Sequence, residues 1–162
     1  MNSQVQNPLG IAPVGGLIAK FAIPAIISML VSAMYNIVDQ IFIGQGVGML
    51  GNAATNVAFP VTTIATALAL LLGIGGASNY NLEMGAGYEE KASGIAGTAL
   101  SSLVSGGVIL AAIILLFLKP LLTLFGATAD VMPYAVDYTG ITALGLPFYI
   151  LSVGGNHIVR AD

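Results

Sequence analysis

The chain has 162 residues, of which 57% are hydrophobic and only 7% charged, with a mean hydropathy of +0.95 and a formal net charge of −3. Soluble domains carry about 25% charged residues, so the composition implies an all-α integral membrane protein. The four Lys and Arg side chains are too few for a nucleic-acid surface. The absence of Cys excludes disulfides, thiolate catalysis and Cys-ligated metal.

The first dozen residues, Met1 to Ala12, carry no charge and lead into no short apolar core with a small-residue cleavage site, so a cleaved signal peptide is not expected. A membrane-spanning helix needs about 20 predominantly apolar residues. Long charge-poor intervals supply four such segments: Leu17 to Ile43, Ala53 to Ser78, Ala92 to Leu118 and Val131 to Ile158. Their connections are a Gly-rich turn at 44–48, a polar loop from Asn79 to Lys91, and a Lys119-Pro120 break followed by 126–130. With the N-terminus in the cytoplasm of a cell membrane, Lys20, Lys91 and Arg160 fall on the inner side and only Lys119 outside, as the positive-inside rule prefers.

The first segment holds the most informative residue. Asp39 stands in an apolar run with no other charge between Lys20 and Glu83. An ionisable group at membrane depth costs about 2.5–3.5 kcal/mol on insertion scales, and such residues mark ion or substrate routes. Helical spacing puts Ser28, Ser32, Tyr35, Asn36 and Asp39 on one stripe, with Ile27, Leu30, Val31, Met34 and Ile41 elsewhere. Further polar stripes run through Asn52, Asn56, Thr62, Thr63 and Thr66 in the second segment, and through Tyr138, Thr142, Tyr149, Ser152 and Asn156 in the fourth. Two readings remain open for these groups: together they line a polar cavity, or the hydroxyls bond their own helix carbonyls and join helices.

In the third segment, Ser93, Gly97, Ser101 and Ser105 form one small-residue row and Gly94, Thr98, Ser102 and Gly106 the next, which predicts packing surfaces. Pro24, Pro60 and Pro147 lie inside three segments and predict helix bends. Asp137, His157 and the group Glu83, Glu89, Glu90 and Lys91 sit near segment ends and are expected at the solvated interface. Gly73-Ile74-Gly75-Gly76 lacks the Lys of a phosphate-binding loop and the strand context of a dinucleotide fold, so it reads as a packing and bending element. With one His and no hydrolase signature, the chain is not expected to be an enzyme.

Five stretches carry a family resemblance: Phe21 to Ile26, Tyr35 to Gly44 with its Asn-x-x-Asp-x-x-Phe-x-Gly pattern, Met84 to Gly87 with Lys91-Ala92, Gly145 to Phe148, and Asn156 to Asp162. In this order they resemble the N-terminal part of the multidrug and toxic compound extrusion (MATE) transporters, in particular the bacterial branch of DNA-damage-inducible and Staphylococcus-type exporters. The resemblance implies a twelve-helix antiporter with two six-helix lobes, exporting amphipathic or cationic small molecules across the lipid bilayer. It needs no cofactor beyond a coupling cation, H+ or Na+. By motif, Asp39 is the coupling carboxylate and a possible Na+ ligand, Tyr35 and Asn156 line the same pocket, and Pro24 bends the first helix; Asn36, on the Asp39 stripe, is expected to join the ion-coupling site. Cavity-lining roles are expected for Ser28, Ser32, Asn56, Thr63, Thr66, Tyr149 and Ser152. Relative to that pattern, the chain holds four helices of the N-lobe, and the rest of the N-lobe and the C-lobe are expected to be missing from an inactive fragment. Two other readings are a lipid-linked oligosaccharide flippase, which would call for cationic cavity residues, and a non-transporting membrane module.

Overall fold

The computed structural model describes residues 14–161; the expectation for Met1 to Ala12 lies outside them, as does Asp162. Five helices follow in order: α1 (Val14–Gly46), α2 (Met49–Gly85), α3 (Glu89–Leu116), α4 (Leu118–Leu124) and α5 (Met132–Ala161). No strand occurs among the described residues. Helices α1, α2, α3 and α5 are each long and apolar enough to cross a membrane. The chain is therefore an all-α membrane protein with four candidate spans.

The chain forms two units, residues 1–46 and residues 47–162. In the first, α1 continues through Pro24. In the second, α2, α3 and α5 pack pairwise, and α4 lies against α5.

The core of the second unit is built from small side chains. Ala54, Ala58, Val61, Ala65, Ala69, Gly73 and Ala77 repeat every three or four residues along α2, and Ala135, Thr139, Ala143, Leu146, Ile150 and Gly154 do so along α5. Lipid offers no hydrophobic drive for helix association, so stability comes from close backbone approach, which small residues allow. A Cβ placed on Gly73 would lie 2.5 Å from the Gly154 carbonyl oxygen, and one on Gly107 would lie 2.8 Å from the Pro147 Cα. Leu103, Leu146 and Ile150 fill the gaps between these small residues, while other large apolar side chains are exposed, Leu116 and Phe148 each at 78%. A small-residue seam with apolar side chains on the outer surface suits lipid surroundings.

The connections differ from the sequence expectation. Most of the anticipated polar loop from Asn79 to Lys91 is helical, leaving only Ala86, Gly87 and Tyr88 between α2 and α3. Asn79 Nδ2 donates to the Gly75 carbonyl at 2.9 Å, which keeps its side chain on the helix. The helix ends in a Schellman turn: Tyr88 N–H donates to the Glu83 carbonyl at 2.9 Å and Gly87 N–H to that of Met84 at 3.0 Å. Gly87 supplies the required positive φ of 82°. The same motif closes α4, where Gly126 (φ 92°) donates to Thr123 and Ala127 to Leu122.

The Lys119-Pro120 break is likewise a short helix rather than a loop. Proline has no N–H to give to the carbonyl four residues back, which is that of Leu116, the last residue of α3. The chain restarts as α4 with Pro120 in the first turn, where a missing N–H costs little. Leu122 is fully buried and anchors it.

The small-residue rows of α3 also turn out differently. Ser93, Gly97, Ser101 and Ser105 are all exposed, and of the second row only Ser102 and Gly106 are half-buried. The face that packs is Ala92, Ala99, Leu103, Gly107, Ala111 and Ile114. Both faces carry small residues at four-residue spacing; what selects one is complementarity to Gly76, which would set a Cβ 2.5 Å from Ala99 Cβ, and to Pro147 opposite Gly107. The Gly73 to Gly76 cluster is a packing element, as its composition suggested.

Candidate functional site: intramembrane polar faces

On α1, successive residues advance by about 100°, which places Ser28, Ser32, Tyr35, Asn36 and Asp39 within an arc of about 100°. Tyr35 is 71% exposed and Asp39 partly exposed. Asn36 Nδ2 donates to the Ser32 carbonyl at 2.8 Å. That bond uses an amide proton on the helix's own backbone and leaves the Asn36 oxygen as an acceptor, three residues before the Asp39 carboxylate.

In the second unit, the polar stripes of α2 and α5 meet. Thr66 Oγ1 and Tyr149 Oη lie 2.9 Å apart across the two helices. Thr66 also donates to the Thr62 carbonyl at 2.8 Å. A threonine hydroxyl has one proton, so Tyr149 is the donor of the interhelical bond and the Tyr149 oxygen keeps its lone pairs. Thr63 Oγ1 donates to the Phe59 carbonyl at 3.0 Å and Asn56 Nδ2 to that of Asn52 at 2.9 Å. The hydroxyl protons of Thr63 and Thr66 are thus spent on the helix and that of Tyr149 on Thr66, while Asn56 keeps one N–H; what these groups chiefly offer a ligand is acceptor oxygens. Ser152 is exposed on α5.

Asn156 differs from this pattern. Its Oδ1 accepts from Arg160 Nε at 2.8 Å, one turn later, so both amide protons and one lone pair of the oxygen are left for a ligand. Pro60 and Pro147 lie within continuous helices, as Pro24 does. Asp137 is exposed and His157 half-buried, both near the ends of α5. Of the interfacial group, Glu89, Glu90 and Lys91 are exposed and Glu83 half-buried.

Two buried oxygens have no hydrogen-bond partner: Asn52 Oδ1, on the α2 stripe named above, and Thr139 Oγ1, which the sequence reading missed. Thr139 continues the Ala135 and Ala143 seam of α5, so its spacing marks it as core and gives no sign of polarity needing an answer. Among the described residues no three His, Asp or Glu side chains converge as a metal site.

Comparison with known proteins places this architecture. The MatE family model matches residues 24–162. The chain belongs to the MATE family. It is 29% identical over 150 residues to a protein named FAD transporter from Shewanella oneidensis, covering 93% of this chain and 33% of that protein. It is 28% identical to the multidrug export protein MepA of Staphylococcus haemolyticus, covering 81% of the chain and 29% of the relative. The MepA of Staphylococcus aureus is 25% identical, with 86% of the chain and 31% of the relative covered. The chain thus spans about a third of the length of these curated MATE relatives. No solved structure matches it.

Proposed function

We propose that this MATE chain supplies the coupling carboxylate and part of the substrate path of a cation-driven exporter. The observation that carries the reading is Asp39, a single carboxylate in an apolar spanning helix, on the same stripe as Tyr35 and Asn36. A carboxylate can take up a proton or hold a sodium ion, and release of either leaves an ionised group ready for a cationic substrate. The acceptor-rich face of Asn56, Thr63, Thr66 and Tyr149 supports the same substrate class. An anionic dinucleotide such as FAD, the named substrate of one relative, would call for cationic side chains, and in the described helices Lys20, Lys91, Lys119 and Arg160 all lie toward helix ends. The remaining helices of such a transporter are the partners that would complete the path.

Proteoliposome transport tests this. The whole transporter is expected to move ethidium against its gradient when a proton or sodium gradient is imposed, and residues 1–162 alone are expected to move none. Transport of FAD but not ethidium, or ethidium movement indifferent to both gradients, would refute the reading.

Orientation is part of the proposal: the N-terminus is cytoplasmic, on the strength of Lys20, Lys91 and Arg160 against Lys119. Since the chain has no Cys, single Cys residues report sidedness directly. Suitable positions are Gly46, Ala86 and Thr128; Ala86 is preferred to Gly87 because its φ of −83° accepts a side chain. Impermeant maleimide should label Gly46→Cys and Thr128→Cys in intact cells and spare Ala86→Cys. The opposite pattern would invert the topology.

A further inference from the structure

Between α2 and α3 runs a groove of about 710 Å³ that none of the polar faces above accounts for. That volume is in the range of about 300–1,000 Å³ that holds ligands of drug size. Gly75 and Gly94 contribute to its lining, and a Cβ on either would meet no atom within 4 Å, so the space is open to that depth. Leu71, Leu72 and Ile95 give it apolar walls. Its polar lining is muted: Asn79 donates to Gly75, Thr98 to Gly94 and Ser102 to Thr98, each to a backbone carbonyl of its own helix.

Only one end is charged. Glu83 and Lys91 both line the groove beside the α2–α3 turn. Lys91 Nζ sits 4.6 Å from the centre of the Tyr88 ring, and Tyr88 is exposed, as an interfacial aromatic residue would be. From Lys91 to Ser102 the α3 axis rises about 16 Å, close to half of the roughly 30 Å hydrocarbon core. The groove therefore has an acid and a base at headgroup level and an apolar channel one leaflet deep.

We infer that this groove binds a zwitterionic phospholipid with a primary amine, of the phosphatidylethanolamine type. Lys91 faces the phosphate, Glu83 accepts from the ammonium, and an acyl chain lies along Leu71, Leu72 and Ile95. A quaternary choline has no N–H to give to Glu83, and a glycerol headgroup offers it only neutral hydroxyls, leaving the lipid's phosphate charge unbalanced where the ammonium would neutralise it. Charge complementarity thus selects one headgroup among the common ones.

The test is photolabelling of the reconstituted transporter in nanodiscs that contain acyl-diazirine phosphatidylethanolamine, phosphatidylcholine or phosphatidylglycerol, with labelled peptides mapped by mass spectrometry. Peptides covering 71–76 and 94–102 should label about fivefold more with phosphatidylethanolamine than with phosphatidylcholine. Glu83→Gln should erase that preference, and Lys91→Gln should lower labelling by both lipids. Gly75→Leu, which fills the channel without touching the headgroup end, should drive label out of these peptides. Equal labelling by the three lipids, strongest labelling by phosphatidylglycerol, or no lipid label in the wild-type groove because protein covers it, would each overturn the assignment.

Discussion

Asp39→Asn in the whole transporter is expected to insert and fold near normally and to lose gradient-driven efflux. Asparagine matches aspartate in shape but can neither release a proton nor bring a charge to a sodium ion. A single charge moved through 100 mV is worth about 2.3 kcal/mol, which supports a substrate gradient of about fiftyfold. The variant should lose that accumulation and retain at most downhill leakage. Tyr35→Phe and Asn156→Ala should give partial losses, since each changes a neighbour of the proposed path and leaves the carboxylate. Vesicles under separate proton and sodium gradients would identify the ion as well. Wild-type pumping by the Asn variant under either gradient would make Asp39 structural.

The second large effect concerns the α2–α5 crossing. Gly73→Ala sets a methyl group 2.5 Å from the Gly154 carbonyl oxygen and 2.6 Å from its Cα. Both atoms are backbone, so no rotamer change relieves the clash and the helices must separate. Overpacking costs about 1–3 kcal/mol and occasionally more; with backbone on both sides the cost should reach the top of that range. Gly75→Ala is the matched control, because its Cβ meets nothing within 4 Å. Thermal unfolding in detergent, followed by circular dichroism, should show a large loss for Gly73→Ala and almost none for Gly75→Ala. Equal melting temperatures would mean that the crossing is not as tight as described.

The four spanning helices were legible in the sequence because lipid demands long uncharged intervals, and the chain supplies them. Their ends were less so. Hydropathy records only the part of a helix at hydrocarbon depth, whereas α2 continues through Asn79 to Gly85 until Gly87 provides a backbone conformation that stops it. The short α4 was hidden for a related reason: Pro120 reads as a breaker, and only the geometry of the first turn makes it tolerable. On α3 the small-residue pattern had two solutions, and choosing between them required the shapes of α2 and α5, which spacing does not encode.

The polar stripes were legible as positions but not as donors and acceptors. Sequence alone left open whether Thr63 and Thr66 line a cavity or bond their own helix, and in the structure they bond their own helix while also presenting oxygen outward. The junction of Thr66 with Tyr149 could not be read from residues 83 positions apart. Asp39 needed no structure to be noticed, because a carboxylate among apolar residues is conspicuous in any fold.

The Ala and Gly seam that joins α2 to α5 has an entropic consequence. A leucine immobilised at a helix contact gives up about 0.5–1 kcal/mol of rotamer freedom, while Ala and Gly have none to lose. Seven of the α2 seam positions, Ala54, Ala58, Ala65, Ala69, Gly73, Ala77 and Gly51, are of this kind. On the α2 side docking orders almost no side chains, so the entropic cost falls mainly on Leu146 and Ile150 of α5. Such a pair is suited to move as one body in the proposed transport cycle.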